Sequence, residues 1–134
     1  MATIMQDMKD IAAKARPFIL TTASKDGKPN GVPIGIVKII SDDEIMLGDV
    51  FMHKTRQNLD ENPVAAVTFW SQEDHYGYQF KGKARVETTG KLLDELVRER
   101  QEKKSPFIPR AVVVVKVDEV YYIGAGKDSS KNLV

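Results

Sequence analysis

The sequence predicts a mainly β fold, an antiparallel β-barrel with helical additions. Six stretches carry strand patterning, most of them follow one another through short turn signals, and no strand-helix rhythm of the kind that builds a parallel sheet recurs. Of the 134 residues, 42% are apolar and 29% charged, the balance of an ordered chain, and the sequence reads as one domain over 1–134.

Residues 3–15 read as an amphipathic helix. Thr3 and Gln6 have capping-box spacing, while Ile4, Met8, Ile11, Ala12 and Ala15 share one face. Met5 and Met8 read as core filler, and Arg16-Pro17 ends the helix. Residues 18–23 form the first strand, followed by Asp26-Gly27, a pair suited to a tight primed hairpin turn. The returning strand, 32–40, alternates at Val32, Ile34 and Ile36, then shifts phase to Val37 and Ile39, which predicts a bulge beside Gly35. A third strand runs over 44–48 and ends at Gly48-Asp49.

The uninterrupted apolar run 64–70 reads as a strand in the middle of the sheet. Over 76–87 the alternation is clean, with Tyr78 and Phe80 on one face and Lys81, Lys83 and Arg85 on the other. Leu92, Leu93, Leu96 and Val97 mark a helix over 91–103, whose charges alternate in sign as on a solvated face. A final strand covers 110–123, with a polar tail over 124–134.

The stretch 51–63, FMHKTRQNLDENP, stands apart. As a short helix it carries His53, Lys54 and Arg56 in its first turn and Asp60 and Glu61 in its last, the reverse of what the helix dipole favours. Unless Asp49 reaches in, its first N–H groups have no side-chain cap. An anion at the helix start resolves both features, accepting those N–H groups together with bonds from Lys54 and the Thr55 hydroxyl. A solvated surface helix with unoptimised charges fits as well, because each effect is small.

Several chemistries are set aside. Cysteine is absent, which removes disulfides, thiol redox chemistry, iron-sulfur clusters and thiolate zinc sites, so redox chemistry has to come from a cofactor. Only His53 and His75 occur, without metalloprotease spacing, and no metal site is expected. His75 reads as a surface residue, and Gly124-Ala125-Gly126-Lys127 lacks the spacing of a phosphate loop and reads as tail. No serine sits in a Gly-x-Ser-x-Gly elbow. The net charge of +1, and the separation of Tyr76, Tyr78 and Phe80 from the lysines across the strand, argue against nucleic acid. No apolar run approaches the ~20 residues of a membrane span, and without a secretory signal at the N-terminus the expected location is cytoplasmic.

The segments 18–23, Asp26-Gly27-Lys28-Pro29, Val32-Pro33-Ile34, His53-Lys54-Thr55 with Asn58-Leu59 and Asn62-Pro63, and Lys81-Gly82-Lys83-Ala84 together resemble the pyridoxamine 5′-phosphate oxidase-like FMN-binding split barrels. The resemblance covers roughly 18–120. It implies a six-stranded split barrel forming a homodimer, with FMN in clefts at the subunit interface. By position it assigns Lys54 and Thr55 to the phosphate with His53 beside them, Val32, Pro33, Ile34 and Gly35 to the strand bordering the flavin ring, and Gly48 and Asp49 to the strand end facing it. Asn58 and Trp70 are weaker carry-overs, a brace and a core residue being their other readings, and Tyr121 or Tyr122 would reach the partner's flavin. One departure bears on substrate: vitamin B6 phosphate oxidases use an arginine and a histidine in a C-terminal substrate segment, and neither residue follows Arg110. The expected function is an FMN flavoprotein, an oxidoreductase or electron carrier whose catalytic residues and electron donor are not named by the sequence. The alternatives are a flavin or haem binder without turnover, a deazaflavin in place of FMN, and a cofactor-free interaction barrel.

Overall fold

The computed structural model describes residues 3–126 and 131–133. The elements run α1 (Gln6–Lys14), β1 (Phe18–Ala23), β2 (Pro29–Ile34), β3 (Val37–Ile39), β4 (Glu44–Asp49), α2 (Lys54–Glu61), β5 (Val64–Ser71), β6 (Tyr76–Glu87), α3 (Lys91–Glu102) and β7 (Ala111–Ile123). All strand pairs are antiparallel, in the order β2-β1-β5-β6-β7-β4-β3.

That order forces the sheet to curl. β2 and β3 are its opposite edges, yet only Gly35 and Ile36 separate them in the chain. Laid flat, six inter-strand gaps of about 4.8 Å would hold those edges roughly 29 Å apart. Three Cα steps from Ile34 to Val37 reach at most about 11 Å. The edges therefore meet and the sheet closes into a half-barrel. The strand count is seven rather than six because the stretch 32–40 breaks at Gly35-Ile36 instead of bulging. Each half finds a different partner, β2 pairing with β1 and β3 with β4.

Inside the curl, Phe18 stacks on Phe69 at 4.9 Å and Phe69 meets Phe80 edge-on at 5.0 Å. Leu20, Leu47, Val67, Val113 and Val115, all fully buried, surround them, and each such side chain contributes about 1.5–3 kcal/mol by leaving water. α1 packs Met8, Ile11 and Ala12 onto this core, and the flanking Ile4 and Ala15 join them, as the periodicity predicts. On the other face of β4 and β7, α3 buries Leu93 and Leu96 against Met46, Val112 and Val114. Gly82 sits at a register shift where β6 crosses β7, and a Cβ there would lie 1.7 Å from the Lys116 carbonyl oxygen. Its place in the Lys-Gly-Lys-Ala segment is thus a packing requirement.

Three local expectations change. α1 starts after Met5 rather than Thr3, with the Met5 N–H directed at the Met8 sulfur at 3.3 Å, and Met5 is 56% exposed rather than core. The first hairpin uses a longer loop, in which Ser24 N–H donates to the Lys28 carbonyl and only Gly27 has positive φ, so the primed two-residue turn does not form. β5 has the middle position expected of it, but its outer face, including Val64 and Trp70, is exposed in the chain. Of the tail, Lys127 lies outside the described residues; Leu133 donates to the Val120 carbonyl and lies along β7.

Candidate functional site

A cleft of about 560 Å³ opens where the two sheet edges meet. One wall is the end of β2 and the crossing, from Val32 to Ile36; the other is Gly48 with the turn Val50-Phe51-Met52 that leaves β4. His53, Lys54 and Thr55 close one end at the start of α2, and Phe107 overhangs from the loop after α3. The size suits a small organic ligand.

The lining is divided by chemistry. Its walls are aliphatic and aromatic, while its charged and hydroxyl groups sit together at the α2 end. A Cβ on Gly35 would meet nothing within 4 Å, so the crossing offers bare backbone to the cleft. Gly48 is glycine for another reason, since its Cβ would lie 2.9 Å from Ile36 Cγ2. At the mouth Phe51 and Phe107 meet edge-on, 6.0 Å apart, both largely exposed.

At the α2 start, His53 occupies the cap position without a side-chain hydrogen bond to the helix, and no acidic residue lies in the first turn. Asp49 does reach toward this segment, but it accepts the Met52 N–H at 2.8 Å, ahead of the helix. Its other oxygen pairs with Arg56 Nη1 at 2.8 Å and Arg110 Nε at 3.4 Å. Fully buried, Asp49 thereby fixes the turn from which α2 departs. Thr55 Oγ1 accepts from Asn30 Nδ2 at 3.1 Å, which leaves its hydroxyl hydrogen free to donate. Lys54 is exposed and has no ion-pair partner among the described residues.

The structure brings together Val32, Pro33, Ile34, Gly35, Gly48, His53, Lys54 and Thr55. It keeps three other sequence candidates out of the lining. Asp49 is turned into the Arg56 and Arg110 cluster; Asn58 is on the buried face of α2, donating to Thr22 Oγ1 of β1 at 3.2 Å; Trp70 stands on the outer face of β5. Sequence reasoning missed Phe51, Phe107 and Arg110. For Phe107 a signal existed, in that the proline-bounded 105–109 loop holds two large apolar residues that no periodicity assigns to the core.

Beyond the cleft, the outer face of β1 and β5 is nearly free of charge. Register sets Thr21 beside Ala66 and Ile19 beside Thr68, with Ala23, Val64 and Trp70 extending the same face. Lysines begin only at β6, with Lys81 next to Ala66 and Lys83 next to Val64.

Residues 4–124 match the family described as pyridoxamine 5′-phosphate oxidase. An uncharacterised protein of Methanocaldococcus jannaschii is 33% identical over 114 residues, covering 84% of this chain and 76% of that protein. Among solved structures, Group A Streptococcus HupZ superimposes with a TM-score of 0.81 at 24% identity, over 95% of this chain and 99% of that one. An FMN-binding protein from Syntrophomonas wolfei gives 0.72 at 17% identity, over 90% and 85%.

Proposed function

The chain belongs to the pyridoxamine 5′-phosphate oxidase family, and from that premise we propose that it is an FMN-binding flavoprotein, an oxidoreductase or electron carrier. The observation that carries this reading is the start of α2, without a side-chain cap and with Lys54 lacking an ion-pair partner among the described residues, at the polar end of an otherwise apolar cleft. A phosphate fits that end, where free N–H groups, the Lys54 ammonium and the Thr55 hydroxyl converge, with His53 beside them. A flat apolar ring fits the remainder, bordered by Val32, Pro33 and Ile34 and by the open backbone at Gly35.

Bound there, the flavin supplies the electron or hydride transfer, and the chain supplies position and environment. The aliphatic walls exclude water from one side of the ring. Among the described residues His53 and Lys54 are the titratable groups lining the cleft, both at the proposed phosphate end, so no side chain is assigned as acid or base to the ring. Two copies joined through the uncharged face of β1 and β5 would cover Trp70 and Val64, each more than two-fifths exposed in the single chain. In such a homodimer Trp70 and the β7 tyrosines would approach the flavin of the other subunit. No helix among the described residues is long and apolar enough to cross a membrane, and we take the protein to act in the cytoplasm.

The test is the visible spectrum of the purified protein before and after adding FMN. A two-banded flavin spectrum that persists through desalting, with FMN released on denaturation, is the expected result. A colourless protein whose added FMN washes away overturns the reading, and deazaflavin and haem would then be offered. Steady turnover with a nicotinamide and an acceptor separates an enzyme from a carrier.

A further inference from the structure

Behind the α2 start lies a second cavity, of about 530 Å³, that the cofactor reading does not use. Its lining is Met52, His53, Lys54, Arg56 and Gln57, with Thr88 and Arg110 across from them, and it shares Met52, His53 and Lys54 with the cleft. No acidic residue among the described residues lines it. The carboxylate of Asp49 lies beneath, holding Arg56 and Arg110 against each other through a single oxygen. Two guanidiniums thus share one carboxylate that is already engaged by a backbone N–H, and Lys54, in the same lining, has no ion-pair partner among the described residues. Part of the Arg56 side chain stays exposed, at 27%. Two guanidiniums against one carboxylate leave a net positive charge at the cavity, to which the Lys54 ammonium adds, and that field favours an anion.

We infer that this cavity is a second oxyanion subsite, taking a phosphate group one wall away from the cofactor phosphate. The inference rests on the flavin reading only for what carries the group. That is either a second phosphate on the cofactor, as in a flavin dinucleotide, or a separate phosphorylated redox partner. Guanidinium pairs suit phosphate because their N–H groups fork onto two of its oxygens. Lys54, in the shared wall, would face both anions.

Inorganic pyrophosphate is the probe, titrated calorimetrically at low salt into the FMN-loaded protein. Saturable binding of one pyrophosphate per chain is expected. Thr88→Glu puts a carboxylate into the cavity without touching Asp49, Arg56 or Arg110, and is expected to weaken pyrophosphate at least tenfold with FMN affinity held within twofold. Arg110→Gln should weaken it comparably; should that variant fail to fold, Thr88→Glu alone decides. No saturable binding by the parent, or equal binding by Thr88→Glu and parent, overturns the subsite. Protein loaded with flavin dinucleotide separates the sources, since lost pyrophosphate binding assigns the subsite to the cofactor and retained binding assigns it to a separate molecule. If FMN itself does not bind, the same titration on the unloaded chain, read against Thr88→Glu, still tests the cavity.

Discussion

Asp49 and Arg56 meet at 2.8 Å with the carboxylate wholly removed from water, and this contact holds the end of β4 to the first turn of α2. Asp49 also takes the Met52 N–H and Arg110, so one side chain joins β4, the turn, α2 and the start of β7. Asp49→Ala would leave two guanidiniums and an amide without their acceptor. Removing one member of a buried pair costs about 3–5 kcal/mol. Arg56 and Arg110 retain some solvent, so the lower end is expected, read as a fall in the urea midpoint at unchanged m-value. A midpoint equal to the parent's would show the cluster to be dispensable for folding.

Lys54 lies outside that cluster and should behave oppositely. Lys54→Ala removes a charge-assisted bond to the proposed phosphate, worth about 1.5–3 kcal/mol or roughly ten- to a hundredfold in affinity. Fluorescence titration with FMN should show this loss while thermal stability stays near the parent's. Equal FMN affinity in both proteins would remove Lys54 from the phosphate site.

The two cleft glycines separate binding from packing. Gly35→Leu projects into open space and should weaken FMN with little change in stability. Gly48→Ala drives a Cβ to 2.9 Å from Ile36 Cγ2, an overpacking that costs about 1–3 kcal/mol. Chemical denaturation and flavin titration on the pair distinguish the roles, and a reversed pattern would contradict the cleft geometry.

Acid should loosen the fold through surface pairs rather than through the cleft. The Lys116 ammonium, 2.6 Å from Asp43, holds that carboxyl below its ordinary range, with Ser41 assisting. Lys14 and Ser71 do the same for Asp74, as Lys38 does for Glu99. Because these folded-state values are depressed, the stabilisation is complete above the unfolded carboxylate range and is lost as pH falls below that range and through the lower folded-state values. Urea midpoints should be flat from about pH 7 to 5 and then decline. Asp43→Asn should lower the plateau and shallow the decline, and added salt should weaken both effects. An unchanged acid limb in Asp43→Asn would exclude this pair.

The uncharged β1 and β5 face should associate. Ala66→Arg adds a cation beside Lys81 on that face and should turn a dimer into a monomer in sedimentation velocity, with retained far-ultraviolet dichroism. A parent that sediments as a monomer at micromolar concentration would refute the proposed pairing.

What the sequence made readable follows from which forces are local. β1 and β6 were legible to the residue because alternation is set by each residue's nearest neighbours along the strand, as was the apolar face of α1. The break at Gly35-Ile36 read as a bulge because a phase shift looks the same whether one strand kinks or two strands take different partners; only the partners, β1 and β4, decide. His53, Lys54 and Thr55, which line the cleft, were singled out through charges placed against the dipole, an anomaly local to one turn. Asp49 was placed against the flavin because position alone located it, and nothing in its neighbours announces Arg110, which comes from the far end of the chain. The apolar run of β5 suggested burial on both faces, but one of its faces has no partner within the chain.

The crossing at Gly35 and Ile36 also acts as a spacer of fixed length. It joins the two edge strands directly across the seam of the curled sheet, so its two residues limit how far the seam can part. One residue added there would lengthen the reach by about 3.3–3.6 Å. It would let the two walls part for a bulkier guest without changing the identity of any wall residue.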